Sequence, residues 1–190
     1  MSTSSPSLAV RGSIADATRT RILEAAQRAF SQAGYSDVGL RAVAAAANCD
    51  TTLIRRYFGS KLALFEEAMR DILDISALID GPRAGFGDRA VAYFARAAPT
   101  RAQPVSMLIF ATADPSARAV ALRLLERHII APIAAWLGGS DGPARAAEIS
   151  MLCSGYFLYR HVLPLAAASG DGADRSDRWL AQALQRAVDD

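Results

Sequence analysis

Three short breaks, Gly34-Tyr35, Asn48 and Gly59-Ser60, divide residues 21–69 into three short helices and the start of a fourth. Helices this short need a shared apolar core. Ile22, Ala26, Phe30 and Ala33, with Leu23 beside them, recur at i, i+4, i+8 and i+11. That is the stripe of an amphipathic helix from about Asp16 to Ala33. Gly34 is expected to supply its left-handed cap. Asp37 is the expected N-cap of a second helix whose inner face is Leu40, Val43, Ala44 and Ala47. Asn48 falls where a tight turn needs a residue tolerant of positive φ. Asp50 is expected to cap the third helix, with Leu53, Ile54 and Phe58 facing inward. Ser60 then opens a fourth helix from Lys61 to about Leu78, with Leu62, Phe65, Met69 and Ile72 as its seam.

The clearest break in the chain is Asp80-Gly81-Pro82 through Gly87. Beyond it, helices are expected at about 88–98, 104–112, 115–137, 142–168 and 174–188, each bounded by Pro or Gly. Pro132 and Pro164 fall inside helical patterns and predict kinks. No segment alternates as a strand does, and there is no internal repeat. The fold class is all-α. The Ser/Thr-rich residues 1–14 read as a flexible arm, residues 15–61 as a helix-turn-helix unit, and 62–190 as a larger helical body.

Composition narrows the function. With 52% hydrophobic and 21% charged residues the chain is globular. Its most apolar stretch, Met151 to Ala168, is interrupted by Arg160, His161 and Pro164, which suits a buried or interface helix better than a membrane span. The N-terminus lacks a basic start followed by an apolar run. Cys49 and Cys153 form no metal-ligand spacing with the two histidines, His128 and His161. A cytoplasmic chain without metal or cofactor is expected. With no Gly-x-Ser-x-Gly, metal spacing or phosphate loop, no catalytic constellation is present, and no enzyme is expected. Through Lys61 the chain carries eight basic and four acidic residues; the remainder carries 13 and 15. The front third is therefore the basic part, as phosphate binding requires.

The third helix supplies matching chemistry. Thr51, Thr52, Arg55 and Arg56 stand at i, i+1, i+4 and i+5 and share an outward face. Short threonines permit close approach to a major groove, with a hydroxyl for a base and a methyl for thymine; an arginine can grip guanine O6 and N7. Tyr57 offers a phenol to a phosphate oxygen. Lys61 stands at a helix start, where the dipole and free N–H groups favour a phosphate. Arg41, near the start of the second helix, is a further backbone or base-edge candidate. Taken singly, an arginine pair on a short helix is a solvated face and Tyr57 a core-edge tyrosine. Helix, turn, helix, exposed Thr/Thr/Arg/Arg face and capped basic helix start together point to double-stranded DNA.

The run TRTRILEAAQRAFSQAGYSDVGLRAVAAAANCDTTLIRRYFGSKLALFEEAM resembles the N-terminal domain of the TetR family of bacterial transcriptional regulators. The matching residues are Ile22-Leu23, Ala25-Ala26, Phe30, Gly34-Tyr35, Arg41, Val43-Ala44, Ala47, Tyr57-Phe58 and Ser60-Lys61. The resemblance implies an all-helical homodimer that binds a near-palindromic operator as a repressor and is released by a small-molecule effector. It makes the third helix the recognition helix, with Arg41 and Lys61 matching the family's arginine and lysine. It also makes residues 62–190 a ligand-binding and dimerisation domain, with helices 142–168 and 174–188 forming a four-helix bundle with the partner. The sequence departs from the family at Val38 and Gly39, where Ser or Thr is usual, at Asn48 and Cys49, where Gly-Val is usual, and at Arg55, a position often aromatic. Base preference is therefore not transferable.

In the second domain, Phe94, Met107, Phe110, His128, Trp136, Tyr156, Tyr159 and Arg160 combine bulk with polar tips and are the candidate lining of an effector cavity. Aromatic residues at helical spacing also read as ordinary core. Arg160-His161 reads as a dimer seam, an anchor for an anionic ligand or an exposed helix edge. The competing reading of the whole chain is a constitutive or architectural DNA-binding protein with a filled second core and no ligand.

Overall fold

The computed structural model describes residues 8–95, 103–168 and 172–190. The first helix, α1 (Leu8–Phe30), begins well ahead of the expected start at Asp16. Residues 8–14, expected as part of a flexible arm, are thus helical. Leu8 to Arg11 hold no helix breaker, and Gly12 costs a helix only about 1 kcal/mol. Residues 1–7 of that arm lie outside the described residues. The helices α2 (Leu40–Ala46), α3 (Thr51–Phe58) and α4 (Lys61–Ile72) follow. Asp37 does not cap α2. Its N–H closes a turn onto the Gly34 carbonyl at 3.0 Å, and the extended Gly39 takes the cap position without a side-chain bond.

The fourth helix stops at Ile72 rather than near Leu78. Asp74 Oδ1 accepts from the Ser76 N–H at 2.9 Å and starts a separate turn, α5 (Ser76–Ile79). This is the competition that a short acidic side chain offers the helical ladder. After the glycine-rich loop come α6 (Phe86–Ala95), α7 (Pro104–Ala111) and α8 (Pro115–Leu125). The expected end of α6, at residues 96–98, lies outside the described residues.

The two internal prolines behave differently. Each follows a π turn: Glu126–Ile130 before Pro132, and Leu158–Val162 before Pro164. In both, the last N–H before the proline reaches back five residues, Ala131 to Glu126 and Leu163 to Leu158. The widened turn absorbs the donor that proline lacks. After Pro132 the helix resumes as α9 (Ala131–Leu137), because Ile133 and Leu137 have a core to enter. After Pro164 it does not: Leu163 and Leu165 stay exposed, and a single 3₁₀ turn, Ala166–Ala168, follows. Thus α10 (Gly142–Phe157) ends ahead of the expected residue 168, while α11 (Ala173–Asp189) closes the chain as expected.

Two apolar cores result. The first packs Ile22, Ala26 and Phe30 of α1 against Val43, Ile54, Phe58, Phe65 and Met69, and continues into Met107, Ala111, Val120 and Leu124 of α7 and α8. Phe30 and Phe65 meet edge to face at 5.2 Å. The second core joins Phe86, Ile133, Leu137, Ile149, Leu180, Leu184 and Val188. There α6 crosses α11 at Gly87, where any side chain would collide with the Ala181 carbonyl. No described helix is long and apolar enough to cross a membrane.

Candidate nucleic-acid interface

The third helix is set by local chemistry at both ends. Asn48 takes φ +50° in the turn ahead of it. Asp50 accepts from the Thr52 N–H at 2.7 Å as the N-cap, and these bonds with Thr52 hold its carboxyl below the usual aspartate range. Gly59, at φ +76°, stops the helix. Ser60 then caps α4 by accepting from the Ala63 N–H at 3.1 Å.

One face of α3 is spent on the core, with Ile54 and Phe58 buried and Leu53 half-buried. The opposite face presents Thr52, Arg55 and Arg56 to solvent, with Thr51 and Tyr57 half-buried at its margins. Neither arginine makes an ion pair among the described residues, whereas Arg19 pairs with Glu67 and Arg123 with Glu66 at 2.9 Å. Two unneutralised guanidiniums on an exposed helix face are free to engage an external anion. Arg41 is likewise exposed on α2.

Lys61 is held rather than free. Its Nζ lies 4.5 Å from the centre of the Tyr35 ring and donates to the Ser36 carbonyl at 3.2 Å. Burial lowers its pKa, while Asp114 and Asp37 act in the opposite sense. Asp114 joins the two parts of the chain. It caps α8 through the N–H groups of Ser116 and Ala117 and accepts from the Ser36 hydroxyl at 3.3 Å. Beside it, the Tyr35 N–H donates to the Phe110 carbonyl at 3.3 Å. The turn that carries Lys61's contacts is therefore docked on the α7–α8 corner.

A cavity of about 1030 Å³ lies where α1 and α4 meet α6, α7, α8 and α10. Of the eight residues expected to line such a space, only Phe94 does. Met107 is fully buried in the first core because its side of α7 faces α1 and α4. Phe110 serves the corner through its carbonyl. His128 sits within the first π turn, away from the cavity. Trp136 packs on Phe86 at 5.1 Å and under Arg83, whose guanidinium binds the Trp136 and Leu137 carbonyls. Tyr156, Tyr159 and Arg160 line a separate surface depression of about 610 Å³ on α10 and α11. Tyr156 donates to Asp177 Oδ1 at 2.5 Å; burial first, and that bond second, push its hydroxyl up to about 12. Arg160 donates to the Ala168 carbonyl at 2.6 Å, and His161 is exposed, its ring 4.9 Å from that of Phe157.

Sequence reasoning missed the cavity's polar wall. Gln27 is buried and donates to the Ala68 carbonyl at 3.2 Å and to Asp71 Oδ2 at 2.8 Å; both Gln27 and Asp71 line the space. A glutamine adjoining the stripe of Leu23, Ala26 and Phe30 was the available signal, since a buried amide must find partners.

Comparison with known proteins gives a consistent picture. Residues 22–68 match the model of bacterial regulatory proteins of the tetR family, and residues 84–188 match that of the tetracyclin repressor-like C-terminal domain. Over 71 residues the chain is 37% identical to the HTH-type transcriptional regulator BetI of Burkholderia thailandensis; the match spans 37% of this chain and 36% of that protein. A crystal structure of a TetR-family regulator from Streptomyces coelicolor superposes with a TM-score of 0.56 at 25% identity, covering 92% of this chain and 96% of that one. NalD, the secondary repressor of the MexAB-OprM multidrug efflux pump in Pseudomonas aeruginosa, shares the fold with a TM-score of 0.64 at 18% identity, covering 90% and 96%.

Proposed function

Because the chain belongs to the TetR family of bacterial regulatory proteins, we propose that it is a homodimeric repressor released from a near-palindromic operator by a small-molecule effector. The division of labour follows the sequence: residues 15–61 bind DNA, and residues 62–190 bind the effector and dimerise. The recognition helix is α3. Thr51, Thr52, Arg55 and Arg56 enter the major groove, and Arg41, Tyr57 and Lys61 hold phosphates on either side.

The observation that carries this reading is the division of α3, with Ile54 and Phe58 buried on one face and Thr52, Arg55 and Arg56 exposed on the other, both arginines without an ion pair among the described residues. Dimerisation is supported by α10, the π turn that follows it and α11, where Met151, Tyr159 and Trp179 stand 65%, 47% and 54% exposed on one apolar surface. A dimer places two recognition helices one turn of DNA apart, about 34–36 Å. The 1030 Å³ cavity supports an effector, since a constitutive DNA binder needs no such space. A ligand preferring a different helix spacing shifts the population away from the DNA-competent state. A complete switch requires roughly 5.5 kcal/mol of differential binding.

Selection from random DNA tests the proposal. A two-fold-related motif should emerge, and Arg55→Ala or Arg56→Ala should each relax one base position in both half-sites, by about 1–3 kcal/mol. The same motif recovered from wild type and both variants would overturn direct readout by this pair.

A further inference from the structure

The large cavity is chemically divided, and the division specifies what it takes. Its inner wall is apolar, built from side chains such as Phe86, Phe94, Ile129, Ile149 and Phe157. Its rim on the α1–α4 side is charged, with Arg19, Glu24, Arg28, Asp71 and Asp74. Arg19 is paired with Glu67, which also faces Arg70 at 3.9 Å. Glu24 and Arg28 stand one helical turn apart on α1 and offset each other's charge at a distance. Among the described residues, Asp71 and Asp74 make no ion pair. Among the described residues, Asp71 accepts from the neutral Gln27 amide, and Asp74 from the N–H and the side chain of Ser76.

Two further features of this rim favour positive charge. The helix α4 ends here, so Asp71, Ile72 and Leu73 bring the negative end of its dipole to the cavity mouth. Tyr93 also lines the rim, its hydroxyl donating to the Asp74 backbone carbonyl at 3.3 Å, which brings an aromatic residue to this end of the cavity. A carboxylate pair, a helix C-terminus and an aromatic ring all attract a cation. The apolar wall behind them disfavours a small hydrated ion, which would gain nothing from it.

We propose that the cavity binds an amphiphilic cation, its apolar body packed on the aromatic and aliphatic wall and its ammonium head against Asp71 and Asp74. This assignment rests on the effector-responsive reading above and names the chemistry of its ligand. The volume is at the upper end of the range for drug-sized ligands, about 300–1,000 Å³, so a body of ten or more carbons fits.

The test uses the full-length protein and N-phenyl-1-naphthylamine, a neutral dye that brightens in apolar surroundings. Decylamine, decanol and decanoate, all below their micelle concentrations, compete for the dye. Decylamine should displace it at a concentration at least about tenfold below that of decanoate, with decanol between. Asp71→Asn with Asp74→Asn should remove the preference while leaving decanol unchanged. Both changes are near-isosteric and exposed, and circular dichroism confirms that the variant is folded. Equal or better displacement by decanoate, or a preference for decylamine that survives both substitutions, would overturn the assignment. Failure of the dye to enter the wild-type protein would instead count against the effector reading itself. Ser154→Phe, which fills the cavity, should abolish dye binding and so locates the signal; unchanged dye binding in that variant would place the site elsewhere and overturn the proposal.

Discussion

Gln27 Nε2 donates to Asp71 Oδ2 at 2.8 Å and to the Ala68 carbonyl at 3.2 Å, so one buried amide ties α1 to the last turns of α4. Truncating it removes both bonds and leaves a void beside the cavity. Gln27→Ala is expected to lower stability by roughly 1–3 kcal/mol, read from the urea midpoint. A midpoint within error of wild type would mean that water replaces the clamp at no cost.

The proposed phosphate contact of Lys61 starts from a side chain already held in place. Its stem lies along Tyr35 and its ammonium is held by the Ser36 carbonyl. Lys61→Met keeps the apolar stem and removes the charge. Binding should weaken alike on all sequences, and the slope of log affinity against log salt should fall by about one unit. Fluorescence anisotropy on an operator and a scrambled duplex measures both quantities. An unaltered slope would exclude the phosphate contact.

How much of this was legible in the sequence depended on how local the cause was. Asn48, Asp50, Gly59 and Ser60 were readable because a cap or a positive φ is decided by one or two residues and their nearest backbone. Asp37 was misread by the same logic, since the carboxyl and the Gly39 backbone compete for one helix start and the chain before α2 decides between them. The prolines were visible, but whether a helix resumes past them depends on what Ile133 or Leu165 finds across the fold. The cavity was least legible. Met107 and Phe94 look alike on a helical wheel, yet one faces packed side chains and the other a void.

Asp114 links acid stability to the interface between the two parts of the chain. Hydrogen bonds from the Ala117, Ser36 and Ser116 donors, with Lys61 nearby, hold its carboxyl below the usual range. A depressed folded pKa contributes stability that is present above the ordinary aspartate value of about 3.9 and is lost as pH falls through the folded value. Asp114→Asn retains a capping oxygen but does not titrate there. Its stability should therefore fall less steeply than that of wild type as pH drops below about 4. Parallel urea midpoints for the two proteins across that range would show that this cap does not carry the titration.

Gly39 leaves α2 without a side-chain cap, although its backbone, φ −89° and ψ 135°, is that of an ordinary N-cap, and a Cβ there would meet nothing within 4 Å. Gly39→Ser should therefore stabilise the protein by about a few tenths of a kcal/mol. It also places a hydroxyl at the edge of the proposed DNA surface, so operator affinity should rise and non-specific affinity with it. Stabilisation without any gain in affinity would restrict the serine to a capping role.

The exposed apolar surface of α10 and α11 makes the last prediction. Trp179 is 54% exposed and Met151 65%, in a chain whose other large side chains mostly enter one of the two cores. Trp179 lies one residue before Leu180, which is fully buried, so α11 keeps its own anchor when Trp179 changes. Trp179→Glu should leave helicity intact and convert the proposed dimer to monomer in sedimentation velocity, because a carboxylate would have to be desolvated at an apolar seam. Operator affinity should collapse together with dimerisation, since one recognition helix alone loses the second half-site. A Trp179→Glu protein that sediments as a dimer would move the interface away from α11. A monomer that still binds the full operator with wild-type affinity would separate DNA recognition from dimerisation.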